Sequence, residues 1–139
     1  MIKIIETYHH DKDGYNPFFI RAHWQVAQLN YMQEQGLDAI AKMDMHLDTD
    51  EVFVLTKGAA VLIAGRETEN EMQFEAVKMR PGMVYNIPAK AWHNIAMDKE
   101  ASVIIVEKSN THLGDFICRP LNGNEQEKLS VAIQNLLES

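Results

Sequence analysis

Cysteine is almost missing from this chain: Cys118 is the single one in 139 residues. No disulfide can form within the chain, which agrees with a reducing compartment. The lone thiol reads as a small buried hydrophobe, because no activating neighbour stands out around it. Basic charge is also sparse. Thirteen Lys and Arg, scattered along the chain, stand against twenty Asp and Glu, giving a formal charge of −7. Phosphate backbones are gripped by clustered cations, so no nucleic-acid partner is expected. Long apolar runs are missing as well. The start, MIKIIETYHHDKDG, has neither a seven-residue apolar core nor a small-residue cleavage site, and no run elsewhere reaches bilayer-spanning length. The expectation is a cytoplasmic protein with no membrane partner. There is no internal repeat, low-complexity tract or linker, and 46% of the residues are hydrophobic, so residues 1–139 are expected to close around one core as a single domain.

What is present is a series of short apolar or alternating runs separated by turn residues. IKIIET, WQVAQLN, DAIAKMDMH, EVFVLT, AAVLIA, QFEAVKM, MVYNIP, HNIAM and SVIIVEK read as strands, and TKG, AGRETEN, RPG, PAKA and MDKEA carry turn chemistry. This pattern predicts an all-β sandwich or barrel. Only the tail departs from it. NEQEKLSVAIQNLLES places Leu129, Ile133, Leu136 and Leu137 at three-, four- and seven-residue spacings behind an asparagine cap, which predicts an amphipathic helix over about 124–138. Residues 17–23 read as either a short helix or an extended segment.

The stretch DMHLDTDEVFVLTKG, residues 44–58, loads acids and an imidazole onto the rim of an apolar strand. Strand alternation puts Asp44 and His46 on one face and Met43 and Met45 on the other. Glu51 opens the next strand on the face of Phe53 and Leu55, where an unpaired carboxylate would be costly. A hairpin through LDTD brings Glu51 across from His46, and His93 stands in PAKAWHNIAM after a separate turn. Imidazoles and carboxylates held on rigid strands suit Mn, Fe, Co, Ni or Zn. The alternative for each histidine is a rim residue satisfied by hydrogen bonds. Asp48 and Asp50 read as turn formers, and His9, His10, His23 and His112 as surface or packing residues. Trp92, next to His93, is expected to face away from it. Tyr85 shares a face with Met83 and Ile87, so its phenol is either a catalytic group reaching the pocket or a packed side chain with a satisfied hydroxyl.

At these residues the sequence resembles the cupins. Their first motif runs His, one residue, His, three or four residues, Glu, six residues, Gly. Here Asp44 stands at the first histidine position, followed by His46, LDTD, Glu51, VFVLTK and Gly58. Their second motif runs Gly, five residues, Pro, one residue, Gly, two residues, His, three residues, Asn. Gly82, MVYNI, Pro88, Ala89, Lys90, AW and His93 follow it, with Lys90 at the second glycine position and Met97 at the asparagine position. The resemblance covers roughly residues 38–107. It implies a cupin-type double-stranded β-helix, or jelly-roll, barrel over about 24–107, with an N-terminal strand arm over 1–23 and the C-terminal helix. It also implies a divalent transition metal, Fe, Mn, Ni, Co or Zn, on His46, Glu51 and His93. Asp44 takes the place of the fourth ligand, binding directly, through water, or by hydrogen-bonding another ligand. Lys90 must avoid positive φ or bear its strain, which suggests an altered turn.

Three functions follow from that resemblance. One is a small metal-dependent enzyme, of isomerase, lyase or dioxygenase type, acting on a small polar metabolite such as a sugar or organic acid. Another is a non-catalytic ligand-binding or sensing cupin with a degenerate metal site. The third is an interaction protein in which the barrel is a dimer scaffold. IKIIET, followed by a polar connection, is expected to leave its own barrel and pair with a neighbour's edge, giving a homodimer.

Overall fold

A computed structural model describes residues 2–139. Ten strands form: β1 (Gly14–Ile20), β2 (Gln25–Asn30), β3 (Lys42–Met45), β4 (Glu51–Lys57), β5 (Ala60–Glu67), β6 (Met72–Lys78), β7 (Val84–Ile87), β8 (Trp92–Met97), β9 (Ser102–Glu107) and β10 (Ile117–Pro120). The helix α1 spans Gly123–Leu137. The strands make two five-stranded antiparallel sheets, ordered β1-β2-β9-β4-β7 and β10-β3-β8-β5-β6. This is the all-β architecture that the alternating runs predict, in the jelly-roll form that the resemblance implies.

Alternation decides what each face does. In β4, Glu51, Phe53 and Leu55 are buried while Val52 and Val54 are only half-buried. Phe53 and Leu55 meet Ala27, Leu29, Val103 and Ile105 of the first sheet and Leu62, Ile95 and Met97 of the second, so the main core lies between the sheets. Strands β5 and β8 are buried on both faces, which explains their nearly unbroken apolar sequences. Their outer residues Val61, Ile63 and Ala96 pack with Met43, Met72, Leu129 and Ile133, so α1 covers the outside of the second sheet. Each of these side chains larger than alanine contributes about 1.5–3 kcal/mol by leaving water.

The helix starts where its cap chemistry dictates. Asn122 accepts from the Glu125 backbone N–H at 2.8 Å, and the Glu125 carboxylate accepts from the Asn122 N–H at 3.0 Å, a reciprocal capping box. Glu125 is buried and also accepts from both Arg119 terminal nitrogens, at 3.0 and 3.1 Å, and from the Met72 N–H at 2.6 Å. One carboxylate thus joins β10, α1 and β6.

Several expectations are corrected. IKIIET is not a strand: residues 2–12 run irregularly, with Ile2, Ile4 and Ile5 more than 80% exposed, because no strand edge within the chain runs alongside them. The ambiguous 17–23 region instead falls partly in β1, which pairs with β2. Met1 of the expected arm lies outside the described residues. DAIAKMDMH supplies only the short β3, and the stretch before α1 contributes β10, which pairs with β3. Cys118 lies on β10 and is exposed, not buried, because β10 is a sheet edge. Lys90 keeps the positive φ of the glycine it replaces, at 69°, and its N–H donates to the His46 carbonyl at 2.7 Å.

Candidate metal centre

The first sheet carries one polar rung at its end. Gln25, Glu107 and Glu51 stand in register on β2, β9 and β4, on the same inward face as the core residues of their strands. From the second sheet, β8 points His93 inward while Trp92 and Ala96 pack on the outside, as alternation requires. Asp44 of β3 pairs with His93, and His46 follows one residue after β3.

The two imidazoles converge on Glu51. His93 Nε2 lies 2.9 Å from one carboxylate oxygen and His46 Nε2 lies 3.4 Å from the other. Both Nδ1 atoms face backbone carbonyls, His46 to Asp115 at 2.6 Å and His93 to Ala91 at 3.1 Å. A carbonyl only accepts, so each Nδ1 donates to it, and each ring is held with Nε2 turned inward to Glu51, the ring orientation that metal-binding histidines adopt; a bound ion would take the place of the Nε2 proton. One ligand atom from each of His46, Glu51 and His93 falls within 4.8 Å of the others, so this group could hold a metal ion.

Burial and charge tune the group. Burial pulls the His46 imidazole down, but the hydrogen bond and charge of Glu51 overcome it and raise His46 to about 9. Burial likewise works against ionised Glu51, yet the hydrogen bonds from His46 and His93 hold it well below the usual carboxylate range. Glu107 goes the other way, raised to about 7 by burial and by the neighbouring Glu51 charge. Its Oε2 accepts from the Tyr15 hydroxyl and from Gln25 Nε2, while Gln25 Oε1 accepts from the Asn110 N–H at 2.8 Å, which fixes the amide's orientation. Burial and Glu107 together push the Tyr15 phenol up.

These residues line a cavity of about 340 Å³ whose floor includes Leu29, Phe53, Ile95 and Ile105, with Lys42, His112 and Phe116 also on its walls. A larger, more open groove beside Trp92 and Lys90 contains neither His46 nor His93. Of the residues singled out in the sequence, His46, Glu51 and His93 come together. Asp44 lines the cavity but lies outside the group of three: its Oδ1 accepts from Cys118 at 3.0 Å and sits 3.5 Å from the Lys42 ammonium. Tyr85 does not line the cavity; its hydroxyl accepts from the Arg80 N–H at 2.9 Å, so it is the packed, satisfied tyrosine of the two alternatives. His112 is corrected in the opposite direction, to a cavity residue with Nδ1 3.2 Å from Gln25. Gln25, Glu107 and Asp115 were missed. For the first two the signal was available, since each is a polar residue at the inward parity of its strand.

No protein-family model and no curated protein matches the sequence. Solved structures do. The Bacillus halodurans protein BH2720 is similar over 88% of this chain and 85% of its own, with a TM-score of 0.55 and 15% identity. Two variants of Streptomyces PAC13 with uridine are similar at TM-scores of 0.58 and 0.57, with 12% and 15% identity, over 92% and 90% of this chain and 98% of theirs. Identities this low establish the fold alone. The fold is therefore that of a small cupin-type jelly-roll barrel, and its particular feature is the His46, Glu51 and His93 group at the barrel's polar end.

Proposed function

We propose that this domain binds a divalent transition metal through His46, Glu51 and His93 and acts as a small metal-dependent enzyme of isomerase, lyase or dioxygenase type. The observation that carries this reading is the convergence of two carbonyl-fixed imidazoles on one buried carboxylate inside a cavity. Such an ion, when bound, supplies Lewis-acid polarisation of a chelating oxygen. The protein's part is to hold its donors on strands and keep bulk water from them. The cavity, about 340 Å³, lies at the small end of ligand pockets and fits a small polar metabolite such as a sugar or organic acid. Lys42 offers an ammonium to a carboxylate, and the apolar floor receives a carbon skeleton.

The displacement of Asp44 from the ligand group supports a second reading, a non-catalytic cupin that binds or senses a small ligand. Metal analysis separates the two. Untagged protein, as purified and after reconstitution with Fe, Mn, Ni, Co and Zn in turn, is measured by mass spectrometry beside a His46→Ala/His93→Ala control. Near-stoichiometric metal that the control loses supports the enzyme reading. No uptake of any ion sinks it, and thermal-shift screens with sugars, organic acids and uridine, the compound seen with PAC13, then test the second.

We also propose a homodimer. The exposed apolar residues Ile2, Ile4 and Ile5 find no strand partner within the chain, and a second copy offers sheet edges to cover them.

A further inference from the structure

We infer that Glu107, and not Asp44, supplies the fourth protein donor to the ion held by His46, Glu51 and His93, an inference that rests on the metal reading above. Glu107 Oε1 is buried, 3.9 Å from His46 Nε2, and finds no hydrogen-bond donor among the described residues; its other neighbour is the Glu51 carboxylate, with which it can bond only by sharing a proton. The Glu107 side chain is only 2% exposed, and an acceptor buried without a partner costs on the order of 1–3 kcal/mol or more when charged. A cation in front of it removes that cost.

The other oxygen is held as ligating carboxylates usually are. Tyr15 and Gln25 both donate to Oε2, and Gln25 is itself anchored by Asn110, so the carboxylate is braced from behind with its free oxygen toward the imidazoles. Charge agrees with geometry. Glu51 and Glu107 are neighbours across β4 and β9, and two carboxylates with two neutral imidazoles balance a divalent ion, leaving no net charge in a buried place.

Asp44 lacks each of these properties. Its Oδ1 is engaged by Cys118, and the Lys42 ammonium beside it opposes the approach of a cation. The first position of the motif is thereby released from metal binding, and β9 provides the missing donor.

Calorimetric titration of Co²⁺ into wild type, Glu107→Gln, Asp44→Asn and His46→Ala/His93→Ala tests this, with thermal melts to confirm that each variant folds. Loss of an outer-shell partner weakens metal binding by about 10–100-fold, and loss of Glu107 as a direct donor is expected to reach the upper end of that range, whereas Asp44→Asn changes it less than about threefold. Wild-type crystals soaked in Zn²⁺ give a second readout that needs no variant: Glu107 Oε1 should lie about 2.0–2.2 Å from the ion. Wild-type binding that survives Glu107→Gln but not the histidine substitutions, or a bound ion remote from Glu107, overturns this inference and leaves the metal reading standing. No Co²⁺ uptake by wild type overturns both.

Discussion

Glu51 and Glu107 sit directly opposite one another on β4 and β9, buried on the same face, yet they differ in their hold on a proton. Glu51 has two imidazoles against it and stays ionised. Glu107 has Glu51 against it and is raised to about 7. The asymmetry comes from which strand faces each carboxylate across the cavity.

Metal-free protein should therefore lose stability as pH rises. Glu107 holds its proton more tightly folded, at about 7 against an ordinary 4.5, so stability falls between those values. His46 is also raised, from 6.5 to about 9; its contribution is complete below 6.5 and is lost as pH climbs through 9. The charged or titratable groups facing them include Glu51, His93 and Tyr15, with the Asp115 carboxylate also near His46. Melting temperature in chelator should decline from pH 5.5 to 9, and Glu107→Gln should flatten the lower half of that decline. A melting temperature that climbs across this range contradicts the assignment.

Glu125 should behave in the opposite sense. The Arg119 hydrogen bond, opposed by burial and aided by the Asn122 and Met72 N–H groups, lowers Glu125 to about 2. Its stabilisation is present above 4.5 and disappears as pH falls through about 2. Glu125→Ala removes the capping box and strands Arg119 and the Met72 N–H, at a cost of about 3 kcal/mol. A chemical denaturation series measures it, and a loss below 1 kcal/mol means that the network is dispensable.

Three turn positions should respond differently to substitution. A Cβ on Gly58, at φ 76°, would meet the Ala101 Cα at 2.4 Å, so Gly58→Ala should cost on the order of 3 kcal/mol, about 10 °C in Tm. At Gly82, with φ 81° and nothing within 4 Å, only backbone strain of about 1 kcal/mol applies. Lys90→Gly should stabilise, by about 0.5–1 kcal/mol, because it relieves a positive φ on a side-chain-bearing residue. Equal effects at Gly58 and Gly82 would show that the Ala101 contact is not the cause.

For oligomeric state, light scattering of wild type should give twice the chain mass. Replacing Ile2, Ile4 and Ile5 by Lys should give the mass of one chain without lowering metal uptake. A wild-type mass near one chain refutes the dimer.

Much of this was legible because alternation is local. Parity alone put Glu51 with Phe53 and Leu55 and turned Trp92 away from His93, and motif spacing brought His46, Glu51 and His93 together. The same parity along SVIIVEK sets Glu107 with Val103 and Ile105, and along WQVAQLN sets Gln25 with Ala27 and Leu29, so both were readable. What sequence could not supply is which strands become neighbours: that β9 lies beside β4 makes Glu107 part of the site. The surroundings of Asp44 were hidden for the complementary reason. Its Oδ1 accepts from Cys118, 74 residues away on β10, a strand too short and too weakly patterned to stand out. IKIIET had strand composition but no partner, and composition cannot report a missing partner.

Asp115 does two things at once: its carbonyl fixes the His46 ring, and its carboxylate accepts from the Leu47 and Asp48 N–H groups at 2.8 and 2.9 Å. Its neighbour Phe116 forms part of the cavity wall. Under the proposed function, a guest bulky enough to push that wall outward would loosen the His46 ring, so the room in the cavity and the aim of that imidazole are set by the same few atoms.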